Sequence, residues 1–271
     1  MNKKTVLALP VVTLAAAVAT APHSSANSAA SRTEKPTIVL VHGAFADGSS
    51  WDKVTKELQA SGYPVVAPAN PLRGLSSDSA YVASVLKNIQ GPIVLVGHSY
   101  GGEVITNAAA SNSQVKALVY AAAIAPEKGE SANKILSGFP GSQLPDALNP
   151  VTYPLGNGGE STDLYVDPDK FRSVFAADIP ARDASAMAAA QRPVDASSLE
   201  ADSENAAWRS IPSWYLVAKN DRTIPPAAQR YMADRAHAHT TEVSSSHAVA
   251  VSHPHEVAGV IQDAARSTTQ R

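Results

Sequence analysis

The chain has 271 residues, a formal net charge of −2, 44% hydrophobic residues and no cysteine. That length suits one large domain or two small ones and buries a sizeable core without covalent staples. The balanced charge speaks against a nucleic-acid partner, which calls for a basic face, and the missing cysteines exclude disulfides, thiolate metal sites, thiol nucleophiles and lipidated cysteine anchors.

At the N-terminus Lys3 and Lys4 precede an apolar run from Val6 to Ala19, and small residues follow at Ala19-Thr20-Ala21 and Ser24-Ser25-Ala26. This is the three-part pattern of a secretory signal peptide, and its apolar run is shorter than the ~20 residues of a membrane span. Residues 1–30 are therefore expected to be a removable leader. Cleavage after Ala21 would leave Pro22 at the new terminus, so a site near Ala26 to Ala30 is favoured. The mature protein is expected to be secreted or periplasmic, with no stable membrane anchor.

Thr37 to Val41 is a continuous β-branched and apolar run, the pattern of a strand buried on both faces of a parallel sheet. Similar runs recur at Pro64 to Ala67, Ile93 to Val96, Ala117 to Tyr120 and Trp214 to Val217, with a weaker one at Thr240 to Val243. Helical patterns lie between them, at Trp51 to Ala60, Asp78 to Asn88, Glu103 to Ala110, Ala227 to Ala236 and Glu256 to Ala265. Strands alternating with such helices predict an α/β fold with a doubly wound, mostly parallel sheet. The alternation breaks between Pro126 and Ser210, in a stretch rich in Gly, Pro, Ser and Asp with short helical patterns at Pro168 to Phe175 and Arg182 to Gln191. An inserted helical cap over residues 126–210 fits this better than a structureless loop of that length. Its aromatic residues either pack the cap onto the sheet or line an apolar pocket. Phe171, Phe175 and Trp208, with Phe45 from the loop after the first strand, are the candidates for the pocket.

Gly97-His98-Ser99-Tyr100-Gly101-Gly102 follows the strand run Ile93 to Val96 and opens a helical stretch at Glu103. It is a G-x-S-x-G in the setting that gives the motif meaning: strand, sharp turn, helix. A serine on such a turn stands exposed, the flanking glycines leave room for the tight approach of backbone, and the helix start supplies free N–H groups. A hydroxyl needs a base to become a nucleophile. His247 is the best placed of eight histidines, in the small polar loop Ser244-Ser245-Ser246-His247 after the last strand-like run. His253 and His255 read as exposed, His237 and His239 as helix-end residues, and His98 and His42 as packing within their turns. No metal site is expected, because neither His-x-His pair has a supporting carboxylate cluster. Asp221, just past the run Trp214 to Val217, is the acid that orients the base, although an Asp before a proline-containing turn also serves as a turn residue. The order Ser99, Asp221, His247 is the one α/β-hydrolases use. For the oxyanion, the Tyr100 N–H and the Ala44 N–H are expected donors, with Phe45 as the alternative to Ala44.

Together Val39 to Phe45, Gly97 to Gly102, Asn220 to Pro225 and Ser246-His247-Ala248 resemble the α/β-hydrolase superfamily. The closest branch holds bacterial esterase-like hydrolases with plant methyl-ester esterases and hydroxynitrile lyases. The resemblance covers nearly all of the chain after Pro36, so residues 31–271 are expected to be one hydrolase domain. It implies a Ser-His-Asp triad, no cofactor and hydrolysis of carboxylic esters, with a small-molecule ester as partner. The early first strand implies that the two leading strands of the full superfamily sheet are missing, which leaves about six. Plant hydroxynitrile lyases carry Lys directly after the catalytic His, where Ala248 stands here. Cofactor-free haloperoxidases usually carry Trp or Phe at the position of Ala44. The expected function is that of a secreted serine esterase. Its rivals are a lactonase, a perhydrolase, a lyase and a non-catalytic ligand-binding relative.

Overall fold

The computed structural model describes Met1, residues 35–156 and residues 158–268; the remainder of the expected leader lies outside the described residues. After β1 (Thr37–Val41) come α1 (Asp52–Ala60), β2 (Val65–Val66), α2 (Leu75–Lys87), β3 (Ile93–His98), α3 (Tyr100–Ala108) and β4 (Val115–Ala121). The cap follows, with α4 (Ala132–Ser137), β5 (Leu148–Pro154), β6 (Glu160–Val166), α5 (Pro168–Val174), α6 (Ala181–Ala190), β7 (Val194–Asp195) and α7 (Ala196–Glu200). The alternation resumes with β8 (Ser213–Ala218), α8 (Pro226–Arg235), β9 (His239–Val243), α9 (Val249–Ser252) and α10 (Pro254–Thr268).

Six of these strands form one parallel sheet in the order β2-β1-β3-β4-β8-β9. Successive side chains of a strand point to opposite faces, and here both faces are covered. Ile38, Leu40, Val94 and Val96 pack under α1 and α10, against Trp51, Leu58 and Ile261. Val39, Val41, Leu95 and Tyr215 pack on the other face, against α2, α3, α8 and the cap. This double burial is why the strands read as unbroken apolar runs instead of alternating ones.

The strand order places the chain reversal between β1 and β3: one connection leaves β1 toward β2, and the chain then returns to the other side. Loops leaving adjacent strands at such a point diverge and open a crevice at the carboxyl ends. The loops after β1 and β3 carry Gly43-Ala44-Phe45 and Ser99.

Two expectations are corrected here. The cap is not purely helical, because β5, β6 and β7 form a three-stranded antiparallel sheet. Its edge strand β5 carries Pro150 and Pro154 and is largely exposed, so it shows neither the apolar run nor the alternation of a sheet strand; proline is tolerated on an edge, where its missing N–H breaks no ladder. Helix α2 begins three residues before Asp78. Asp78 lies within the first turn and is buried, and it accepts hydrogen bonds from the Arg73 N–H at 3.1 Å and the Tyr100 hydroxyl at 2.9 Å.

Candidate active site

Ser99 sits between β3 and α3 with φ 53° and ψ −128°, a backbone conformation that side-chain-bearing residues rarely adopt. Its carbonyl accepts from the Gly102 N–H at 2.9 Å and the Ile124 N–H at 3.0 Å, which holds the turn. Two glycines make the turn possible. A Cβ on Gly97 would stand 2.6 Å from the Gly101 carbonyl oxygen, and one on Gly43 would stand 2.6 Å from the Ser99 Cβ. The first obstacle is backbone and cannot rotate away. Gly97→Ala is therefore expected to lower stability by ~1–3 kcal/mol, the usual cost of overpacking, and to displace Ser99. Urea denaturation with an unchanged midpoint would show instead that the elbow can shift.

The structure brings the three candidate residues together. The Ser99 Oγ lies 2.8 Å from His247 Nε2, and His247 Nδ1 lies 2.7 Å from Asp221 Oδ2. The Asp221 carboxylate can only accept, which assigns the proton to Nδ1 and leaves Nε2 to accept from the serine hydroxyl. Both the His247 and Asp221 side chains are fully buried. Asp221 Oδ1 accepts from the N–H groups of Thr223 at 2.7 Å and Ile224 at 2.9 Å. Oδ2 also accepts from Gln229 Nε2 at 2.8 Å, and Gln229 Oε1 accepts from the Ala218 N–H at 2.9 Å. Asp221 thus does make the turn bonds expected of an Asp in that position, while facing the imidazole. Gln229 ties it to the end of β8. No sequence pattern singles out Gln229, since its partners are set only when α8 docks on the sheet.

The two turn histidines behave as packing residues. Burial, with the nearby His247, pushes His98 down to about 3, so its ring is neutral, and its Nε2–H donates to the His247 carbonyl at 2.9 Å. Burial also lowers the pKa of His42. His42 Nδ1–H donates to the Gly43 carbonyl at 2.9 Å, and its Nε2 accepts from the Asn70 N–H at 2.9 Å, which pins the loop after β1. His239 lies against Trp214, and His255 is exposed beside Glu57. Among the described residues no group of three or more His, Cys, Asp or Glu side chains could hold a metal ion, and no helix is long and apolar enough to cross a membrane.

Of the expected oxyanion donors, Phe45 is ruled out by its own bond: its N–H donates to the Arg192 carbonyl at 3.0 Å. The N–H groups of Ala44 and Tyr100 meet no protein acceptor among the described residues. A cavity of about 280 Å³ opens beside them and is lined by Ala44, Phe45, Ser99 and Tyr100 on the core side. Ile124, Leu136, Leu144, Leu148, Leu199 and Ile224 form its apolar wall. Asn133, Ser137, Ser142 and Thr223 add polar edges, and among the described residues no charged side chain lines it.

The expected aromatic lining is largely corrected. Phe45 lines the cavity, but Phe171, Phe175 and Trp208 do not. Phe171 packs against Phe175 at 5.0 Å, and Phe175 stands edge-on to the His247 ring at 4.8 Å. Trp208 donates its indole N–H to the Pro126 carbonyl at 2.7 Å, with the Arg209 and Arg235 guanidinium groups near its ring. Large aromatics of the cap settle where they bury most area, which is the cap–core seam, and aliphatic residues are left to face the cavity.

Residues 38–260 match the model of the alpha/beta hydrolase family. The chain is 28% identical over 252 residues to a pyrethroid hydrolase from Sphingobium wenxiniae, covering 83% of this chain and 86% of that protein. It is 26% identical over 222 residues to Methylesterase 1 of Arabidopsis thaliana, covering 74% and 84%. The crystal structure of a pyrethroid hydrolase from Sphingobium faniae superposes with a TM-score of 0.68 at 26% identity, over 87% of this chain and 99% of that one. The crystal structure of polyneuridine aldehyde esterase superposes with a TM-score of 0.74 at 20% identity, over 85% and 99%, a likeness of fold alone. With the sheet order, the elbow and a family match that spans most of its length, the chain belongs to the alpha/beta hydrolase family.

Proposed function

We propose that the protein is a serine hydrolase acting on carboxylic esters of small, uncharged molecules. The observation that carries this is the continuous relay from Ser99 Oγ through His247 to Asp221, with gaps of 2.8 and 2.7 Å. His247 takes the proton of Ser99 as the oxygen attacks the ester carbonyl. Asp221 keeps the proton on Nδ1 and steadies the imidazolium that forms. The Ala44 and Tyr100 N–H groups receive the oxyanion, a contribution of roughly 3–4 kcal/mol per donor in measured systems. His247 then protonates the departing alcohol, and water repeats the sequence on the acyl-enzyme. Relatives named as a pyrethroid hydrolase and a methylesterase support ester cleavage over other chemistry. Ala248, in place of a cationic residue after His247, disfavours the lyase reading.

A fluorophosphonate probe tests the reading directly, by mass. Labelling should add one adduct on Ser99 and should fail in His247→Ala. Labelling elsewhere, or none in an otherwise folded protein, would sink it.

The aliphatic wall of the cavity fixes which substituents fit. Leu136 projects into it from α4 and is only half-buried, so a larger side chain there shortens the cavity without a core rearrangement. Leu136→Trp should lower kcat/KM for octanoate esters by ~10-fold or more relative to acetate esters. Equal losses across a p-nitrophenyl ester series would mean that the cavity is not where the chain binds.

Export belongs to the same proposal and rests on the Lys3-Lys4 start and the apolar run after it. N-terminal sequencing of the protein from culture fractions should find a start at one of residues 27 to 31. Residues 31–271 then make up one hydrolase domain, in which the cap insertion sets specificity.

A further inference from the structure

The loop that bears His247 has little of its own to hold it still. Ser244, Ser245 and Ser246 precede the histidine and Ala248 follows, so no bulky side chain anchors the segment. Ordering such residues costs backbone entropy that no side chain of their own offsets. The core holds the start of the loop, where the Asn220 N–H donates to the Ser245 carbonyl at 3.0 Å, and the cap holds the residues on either side of the histidine. Residues 175–178 follow α5 and run alongside this loop. On the near side of His247, Ser246 donates its N–H to Asp178 Oδ2 at 2.9 Å and its hydroxyl to Asp178 Oδ1. On the far side, the Ala248 N–H donates to the Phe175 carbonyl at 3.0 Å. The Phe175 ring meets the imidazole edge-on, while His98 holds the His247 carbonyl from the core.

We propose that Asp178, a residue of the cap, is a positioning residue for ester hydrolysis: its two carboxylate oxygens fix Ser246, the residue before His247, by its N–H and its hydroxyl and so keep Nε2 in reach of Ser99. The proposal rests on Ser99, His247 and Asp221 being the working triad. A carboxylate suits the task because it can accept from an N–H and an O–H at once, and hydrogen bonds to an ionised acceptor are the stronger kind. The His253 Nδ1 stands 3.6 Å from the same Oδ2, and the Asp178 side chain is 27% exposed, so the bracket is closed on the loop side and open to water on the other. The cap therefore does more than cover the cavity. It sets the register of the core's histidine, so a rearranged cap changes the rate as well as the substrate range.

The test compares Asp178→Ala, Asp178→Asn, Ser246→Ala and Ser99→Ala in the full chain. It reads kcat and KM on p-nitrophenyl acetate, the phosphonylation rate, the melting temperature, and the downfield proton resonance of the His247 Nδ1–H bond to Asp221. Asp178→Ala should lower kcat and the phosphonylation rate on the order of 10- to 100-fold, as small misplacements of a reacting group do, with KM little changed and the downfield signal broadened or lost. Asp178→Asn should recover most of the rate, since its Oδ1 accepts the Ser246 N–H while its amide donates to the hydroxyl. Ser246→Ala, which keeps the N–H bond, should fall between. If Asp178→Ala fails to fold, Ser246→Ala, which loses the hydroxyl bond to Asp178 Oδ1, is read against wild type, and an unchanged kcat and downfield signal there overturns the proposal. Asp178→Ala at the wild-type rate, beside an inactive Ser99→Ala, overturns the proposal alone. So does a loss in Asp178→Ala that Asp178→Asn does not recover and that leaves the downfield signal intact. An active Ser99→Ala overturns the triad beneath it.

Discussion

Ser99→Ala is expected to cost turnover on the order of 10⁶-fold, as loss of the nucleophile does in comparable triads, while leaving the fold intact. The reasoning is local. The hydroxyl is almost wholly buried and is held at 2.8 Å from His247 Nε2 by a strained backbone turn. Removing one oxygen opens no cavity large enough to unsettle the elbow, because Gly102 and Ile124 bind the Ser99 carbonyl and not its side chain. KM for a short ester should stay close to its original value, since Ile124, Leu136 and Ile224 still line the cavity. The combination to look for is thus a melting temperature near wild type, retained binding of a slowly cleaved ester, and no burst of p-nitrophenol. A residual rate within tenfold of wild type would mean that another group attacks the carbonyl, and the ester reading would fall with it.

How far the sequence foretold this site varies by residue, for physical reasons. The elbow was readable because it is a backbone demand: a strained turn between a buried strand and a helix tolerates few residue types, so Gly97, Ser99 and Gly101 announce it. Asp221 and His247 were readable by position, each just past a strand of the parallel sheet, where loops converge on the crevice. Asp178 and Gln229 were not readable. Each acts through a partner whose approach depends on how the cap or α8 docks, and an isolated Asp or Gln carries no periodic signal. The cavity wall is not legible in the sequence for a related reason. Aromatic residues are conspicuous in a composition, but Phe171, Phe175 and Trp208 bury themselves in the seam, and leucines from four separate elements and loops meet at the cavity. The hairpin of β5 and β6 carries no strand signal in the sequence, because an exposed strand with two prolines resembles a loop until its partner is known.

Glu103 leads to the largest expected effect on stability. It lies one turn after Ser99 on α3, fully buried, and neither carboxyl oxygen has a hydrogen-bond partner among the described residues. The Ala132 N–H approaches without closing a full bond, and Asp202 adds a like charge. Burial, the largest of these influences, pushes the carboxyl well above its ordinary value of 4.5. In the folded protein Glu103 therefore stays protonated at pH values where the unfolded chain has already released its proton. Protonation linkage then has a definite sign. The contribution is fully present below pH 4.5 and is lost as pH rises toward the folded-state value, at about 1.4 kcal/mol per pH unit across that window. Glu103→Gln has no proton to lose. Its buried amide carries a fixed cost, but the difference in stability between the two proteins should shift steadily toward the variant as pH rises from 5. Other shifted groups, such as Asp78, are common to both proteins and cancel in that difference. Urea denaturation at intervals of pH would measure it, and a difference that stays flat would mean that Glu103 ionises normally within the fold. The location gives the slope a functional reading. Ala132, the residue that faces Glu103, opens α4, which walls the cavity beside Ser99, so the strain of an ionised carboxylate falls on an element of that wall.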